Sequence, residues 1–202
     1  MRDGAAPIDF WFDFSSPYGY FMSEKIDALA ARHGRSVRWR PFLLGVVYKL
    51  VGGRPLTEIP LKGDYSRHDL DRSARFLGLP FALPTPFPVA TQHAGRAFYW
   101  LAAEDAALAR RFAHAAYRAY FVDGHDISQL PVVLELAAGQ GIEPSALAEA
   151  LGTDTVKEAL KTASNEAIEA GVFGSPYVII DGEPFWGVDR LPQIERWLAG
   201  GF

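Results

Sequence analysis

Gly174-Ser175-Pro176-Tyr177-Val178-Ile179-Ile180-Asp181-Gly182-Glu183-Pro184-Phe185-Trp186 is the stretch on which the fold turns. Tyr177 to Asp181 is rich in aromatic and β-branched residues and reads as a strand. Asp181-Gly182 is a turn pair that joins antiparallel strands directly, because both residues tolerate the positive φ of a two-residue hairpin loop. Pro184 to Trp186 is then the returning strand, and Arg190 to Leu198 a closing helix. Upstream, Asp154 to Ala170 carries helical spacing. The chain therefore ends α, β, β, α, with Pro176 immediately ahead of an expected edge strand.

Working outward to the amino end, Ile8 to Phe14 reads Ile-Asp-Phe-Trp-Phe-Asp-Phe, apolar enough for a central strand. Asp9 is expected to face a helix cap or a loop. Asp13 falls at the strand's carboxyl end, where α/β proteins keep their sites. Ser15-Ser16-Pro17 is a helix start, with Ser16 capping and Pro17 at the first helical position. Phe21, Met22, Ile26, Leu29 and Ala30 recur at helical spacing from Tyr18 to His33, and Gly34 stops the run. Ser36 to Pro41 is a second strand, parallel to the first across a right-handed connection. Phe42 to Pro60 is mixed, broken by Gly45, Gly52 and Gly53. Asp64 to Leu77, Thr91 to Ala103, Asp105 to Val122, Ile127 to Ala138 and Pro144 to Leu151 are helical, with a proline-heavy loop from Pro80 to Pro88. The outline is an α/β chain, a thioredoxin fold with an all-helical domain inserted: 8–64 and 151–202 form its two parts, and 65–150 the insertion.

Composition narrows the functions open to this outline. The chain has 202 residues, 49% of them apolar, enough for a real core, and a formal net charge of -4. The arginines are scattered among acidic residues, which argues against nucleic acid as a partner. No window approaches the roughly 18 to 20 apolar residues of a membrane helix. Met1 to Pro7 reads as a short disordered leader without the apolar run of an export signal, so the expected setting is a soluble protein in the cytoplasm. The absence of cysteine removes disulfides, thiolate metal sites and Cys-x-x-Cys redox chemistry together. His93, His114 and His125 have no metal-binding spacing.

Four segments in order carry a resemblance. Phe12-Asp13-Phe14-Ser15-Ser16-Pro17-Tyr18, Leu61-Lys62-Gly63-Asp64-Tyr65, Gly171-Val172-Phe173-Gly174-Ser175-Pro176 and Phe185-Trp186-Gly187-Val188-Asp189-Arg190-Leu191 resemble the 2-hydroxychromene-2-carboxylate isomerase family. That family is related to kappa-class glutathione transferases and to DsbA, so the resemblance implies a DsbA-like fold and covers nearly all of Ile8 to Leu198. It implies glutathione as cofactor, a small aromatic carboxylate as substrate, and a homodimer.

Ser16 is the expected catalytic residue. Its hydroxyl lies at a helix amino terminus, where unpaired N–H groups and the helix dipole favour negative charge. It is able to donate a hydrogen bond to the thiolate of a bound thiol, the role the resemblance gives it; the alternative is that it only caps the helix. Ser175 and Pro176 are expected to hold the cysteinyl part of glutathione through the Ser175 backbone, exposed by a cis proline bond. Trp186, Gly187, Val188 and Asp189 are expected at the γ-glutamyl end, with Asp189 facing the ammonium group or else capping the last helix. Lys62, one of five lysines, faces the glycyl carboxylate or that of the substrate; the alternative is an exposed lysine without a role. Lys49 and Arg54, on a loop able to close, and Tyr18 are expected on the substrate side. Many family members have an Asn-Arg pair where this chain has Gly53-Arg54, and asparagine where it has Ala90; both differences fall on that side.

Three other readings compete. A kappa-like transferase would use the same thiolate on another electrophile. A cysteine-free module would bind peptides along Ser175-Pro176. A haloacid dehalogenase-like hydrolase would use Asp13 as nucleophile, with Ser15 two residues on, but no acidic pair follows Lys161 to complete that pattern.

Overall fold

A computed structural model describes residues 6–201; most of the expected leader Met1 to Pro7 lies outside the described residues. The strands are β1 (Ile8–Phe12), β2 (Val37–Pro41), β3 (Tyr177–Ile180) and β4 (Glu183–Trp186). They form one sheet in the order β2-β1-β3-β4, with β1 and β2 parallel and the other two pairings antiparallel. The helices are α1 (Pro17–Arg32), α2 (Leu44–Val51), α3 (Lys62–Leu77), α4 (Gln92–Glu104), α5 (Ala106–Phe121), α6 (Leu130–Ala138), α7 (Pro144–Gly152), α8 (Asp154–Glu169) and α9 (Leu191–Leu198). This is the thioredoxin fold expected from the outline, with a run of helices between its two halves. No helix among the described residues is long and apolar enough to cross a membrane.

The hairpin that decided the outline is built as its residues dictate. Ile180 pairs with Glu183, leaving Asp181 and Gly182 as the loop, at φ 53 and 90. Arg35 grips the Asp181 carboxylate with two hydrogen bonds of 2.8 and 2.9 Å and so supports a non-glycine residue in the left-handed region. The strand after Pro176 is not an edge strand: β3 lies between β1 and β4, and the edges are β2 and β4.

β1 is central and two-faced. Phe10 and Phe12 enter the larger core with α1, α5 and α9, while Trp11 enters a second cluster with Phe42, Val47, Ala167, Val172 and Tyr177. Tyr117 of α5 packs against the rings of Phe12 and Phe14 at 5.7 and 5.4 Å. The helices between the two halves thus share one buried core with the sheet. Asp9 meets neither a cap nor a loop: it takes a forked pair of hydrogen bonds from Arg38, its neighbour in the β1–β2 register.

Phe42 to Pro60, read as mixed, contains α2. Its start is fixed from outside, by the Leu43 N–H on Ser164 Oγ at 3.1 Å and the Leu44 N–H on Asp13 Oδ2 at 2.8 Å. Lys49 therefore stands on a helix rather than on a loop. The next helix begins at Lys62, one half-turn before the Asp64 expected. Gly63 is required there, because a Cβ would come within 2.6 Å of the Thr57 carbonyl oxygen.

Candidate active site

Ser16 is buried, and its backbone is extended at φ -90 and ψ 113, as a cap must be. Its Oγ accepts from the Gly19 N–H at 3.0 Å and donates to the Ser175 carbonyl at 2.9 Å. The capping role is real, and the same hydroxyl joins the first helix to the Ser175-Pro176 bond, which is cis. Gly19 makes this approach possible. A Cβ on it would lie 2.7 Å from the Tyr117 hydroxyl and 3.1 Å from Ser175 Oγ.

Pro176 continues the site toward β4. Its carbonyl accepts from the Gly187 N–H at 3.1 Å. Trp186 turns back over Gly174, where a Cβ would meet the indole Nε1 at 2.3 Å. Phe173 packs edge-on against Trp186 at 4.8 Å, and both rings are about half exposed. Gly187 sits at φ 106, and Asp189 follows in a 3-10 turn, Val188–Arg190. The Asp189 carboxylate caps no helix end; it faces solvent and pairs with Arg190 at 2.8 Å. Ser16, Ser175, Pro176, Gly187 and Trp186 thus form one continuous wall, with Val188 and Asp189 at its end.

The substrate-side residues are arranged otherwise. Lys49, Arg54 and Lys62 are exposed, Lys62 at the first position of α3. Tyr18, expected to touch substrate, gives its hydroxyl to Asp69 of α3. Burial and the Asp69 carboxylate push the Tyr18 phenol well above its ordinary range. Arg72 completes the cluster, donating to Asp69 and, at 3.0 Å, to the Tyr65 hydroxyl. Tyr18 therefore ties α1 to α3. Asp69 is seven residues from Lys62, two turns along the same face of that helix.

Asp13 is the residue sequence reasoning undervalued. It is 3% exposed, and every polar atom it has is engaged. Its N–H donates to Ser175 Oγ at 2.9 Å, and its carbonyl accepts from the Ser16 N–H at 2.9 Å and the Tyr117 hydroxyl at 3.2 Å. Oδ1 accepts from the Ser15 N–H and hydroxyl, both at 2.8 Å, and from the Thr91 hydroxyl at 3.1 Å; Oδ2 accepts from the Leu44 N–H. Burial pushes its carboxyl up, while the bonds from Ser15, Leu44 and Thr91 pull it back. Oxygens so occupied are unsuited to nucleophilic attack, and the hydrolase reading falls. The Asp-x-x-Ser-Pro spacing was the available signal for Asp13; Thr91 and Tyr117 had none, since only folding brings them there.

The DsbA-like thioredoxin domain family matches residues 7–199. The chain belongs to that family. It is 30% identical to a 2-hydroxychromene-2-carboxylate isomerase of Pseudomonas putida over 93% of this chain and 92% of the other. It is also 30% identical to glutathione S-transferase kappa 2 of Caenorhabditis elegans, over 96% and 92% of the two chains. A solved 2-hydroxychromene-2-carboxylate isomerase structure superimposes with a TM-score of 0.87 at 26% identity, covering 96% of this chain and 95% of that one. The resemblance drawn from the four sequence segments is thereby established: the relatives are isomerases and kappa glutathione transferases, that is, enzymes.

Proposed function

We propose that the protein is a glutathione-dependent isomerase that converts 2-hydroxychromene-2-carboxylate to trans-o-hydroxybenzylidenepyruvate in the breakdown of aromatic compounds. The observation that carries this reading is the Ser16 hydroxyl, buried at the start of α1 and bonded to the Ser175 carbonyl in a chain with no cysteine. Such a site holds a thiol that arrives with a ligand. When glutathione binds, its cysteinyl N–H takes the Ser175 carbonyl, and the Ser16 O–H turns to the sulfur. The thiol proton leaves to solvent, and the thiolate rests among the first N–H groups of α1. It adds to the alkene carbon beside the aromatic ring, the double bond shifts toward the hydroxyl-bearing carbon, and the ring C–O bond opens to a phenolate. The skeleton rotates about the new single bond. The enol then collapses to the ketone as the C–S bond breaks, its proton passing through solvent to the phenolate, and glutathione is returned unchanged. Trp186 to Asp189 take the γ-glutamyl end, and Lys62, with Lys49 and Arg54, the carboxylates. Tyr18 acts at one remove, by holding the face of α3 that bears Lys62.

The second reading, a kappa-like transferase acting on another electrophile, is kept because the substrate side of this chain differs at Gly53. Gly53 lies on the Tyr48 ring, where a Cβ would come within 2.7 Å of Cδ1. An asparagine side chain, which many family members carry here, finds no room at this position unless Tyr48 moves.

Calorimetric titration of reduced glutathione, with Ser16→Ala and S-methyl glutathione as controls, tests the common part. Micromolar to millimolar binding with proton release, diminished in the variant, is expected. No binding of any form would remove both enzyme readings in favour of a peptide-binding module. Turnover of the chromene carboxylate with full recovery of glutathione then separates isomerase from transferase.

A further inference from the structure

Donors at or just before three helices converge on one buried carboxylate. Ser15 precedes α1, Leu44 is the first residue of α2, and Thr91 is the cap position of α4; each donates to Asp13. The titratable groups facing Asp13 are phenols, Tyr48 on α2 and Tyr117 and Tyr120 on α5. The forces on its ionisation are burial, which raises it, and the hydrogen bonds from Ser15, Leu44 and Thr91, which oppose that rise.

We propose that Asp13 is a positioning residue that anchors the Ser16–Ser175 pair and, as a fixed anion, restrains the ionisation of a thiol held at Ser16. The first N–H groups of α1 favour a thiolate at Ser16, and the Asp13 carboxylate, buried three residues before it, is a negative charge that opposes this ionisation. A thiol at this helix start with no such anion beside it would ionise further below neutral pH and lose nucleophilicity, because the best attacking thiol has a pKa near the ambient pH. Restraint suits a reaction in which the sulfur must both attack and leave. The catalytic benefit rests on the reading of Ser16 given above, but the charge effect does not require glutathione.

The chain has no cysteine, so Ser16→Cys places a single thiol at this point, and its pKa is read from the ultraviolet absorbance of the thiolate. With Asp13 present, that thiol should titrate above about 6, in the upper part of the range for helix-start cysteines. Adding Asp13→Asn should lower it by about one unit, roughly tenfold more thiolate at low pH. A mere loosening of the helix starts would leave the pKa unchanged or raise it, and either result overturns the proposal. If the double variant does not fold, Ser16→Cys alone decides: a pKa below about 6 with Asp13 in place refutes restraint, and one above it supports it. Failure of the natural protein to bind glutathione would be a separate result, against the proposed function only.

Discussion

Replacing Ser16 by alanine and by glycine separates capping from chemistry. Alanine removes the acceptor for the Gly19 N–H and the donor to the Ser175 carbonyl. Loss of the cap costs about 1 kcal/mol. The orphaned carbonyl, in a partly buried setting, costs about 1 kcal/mol more. For a domain of this size, about 2 kcal/mol lowers the Tm by roughly 4 to 8 °C. Glycine is nearly as good a cap as serine, within a few tenths of a kcal/mol, so Ser16→Gly should lose only about half as much. Both variants lack the hydroxyl proposed to face the thiol and should lose turnover alike, by roughly the factor of a hundred or more that accompanies loss of one charge-stabilising donor. Thermal unfolding followed by circular dichroism gives the first quantity, and kcat/KM with glutathione saturating gives the second. Activity that tracked Tm across serine, glycine and alanine would refute the separation, since Ser16 would then act only through the helix it caps.

Three further outcomes follow from the geometry. Gly174→Ala sets a methyl against the Trp186 indole, so it should displace that ring and weaken glutathione binding several-fold; unchanged tryptophan fluorescence and affinity would contradict the contact. Tyr18→Phe removes the bond to Asp69 and should cost about 1 kcal/mol in chemical denaturation, while raising KM for a carboxylate substrate more than it lowers kcat. His93, half-buried and near Arg96, has its pKa held below the ordinary histidine range, first by burial and then by the Arg96 charge. The unfolded chain therefore binds the proton more readily, and stability is lost as pH falls through and below about 6.5. His93→Gln should flatten that part of a Tm-against-pH curve, and an unaltered slope would assign it to other groups.

The sequence alone determined the elements and the order in which they run. Period-two and period-3.6 patterning, Asp181-Gly182 and Ser16-Pro17 are local signals, set by backbone sterics and hydrogen bonding within a few residues, and they placed both halves of the fold and the cap at Ser16. They placed α2 poorly, because its start is secured by Ser164 and Asp13, partners distant in the chain. They also left the strand after Pro176 at an edge, since strand order is decided by which surfaces bury one another. Family resemblance pointed to Ser16, Ser175 and Asp189, but not to what each hydroxyl or carboxylate touches. Only the tertiary structure turned Tyr18 toward Asp69 and gathered Ser15, Leu44 and Thr91 on the Asp13 carboxylate. A buried carboxylate must find donors wherever folding brings them, and those donors lie up to 78 residues away along the chain.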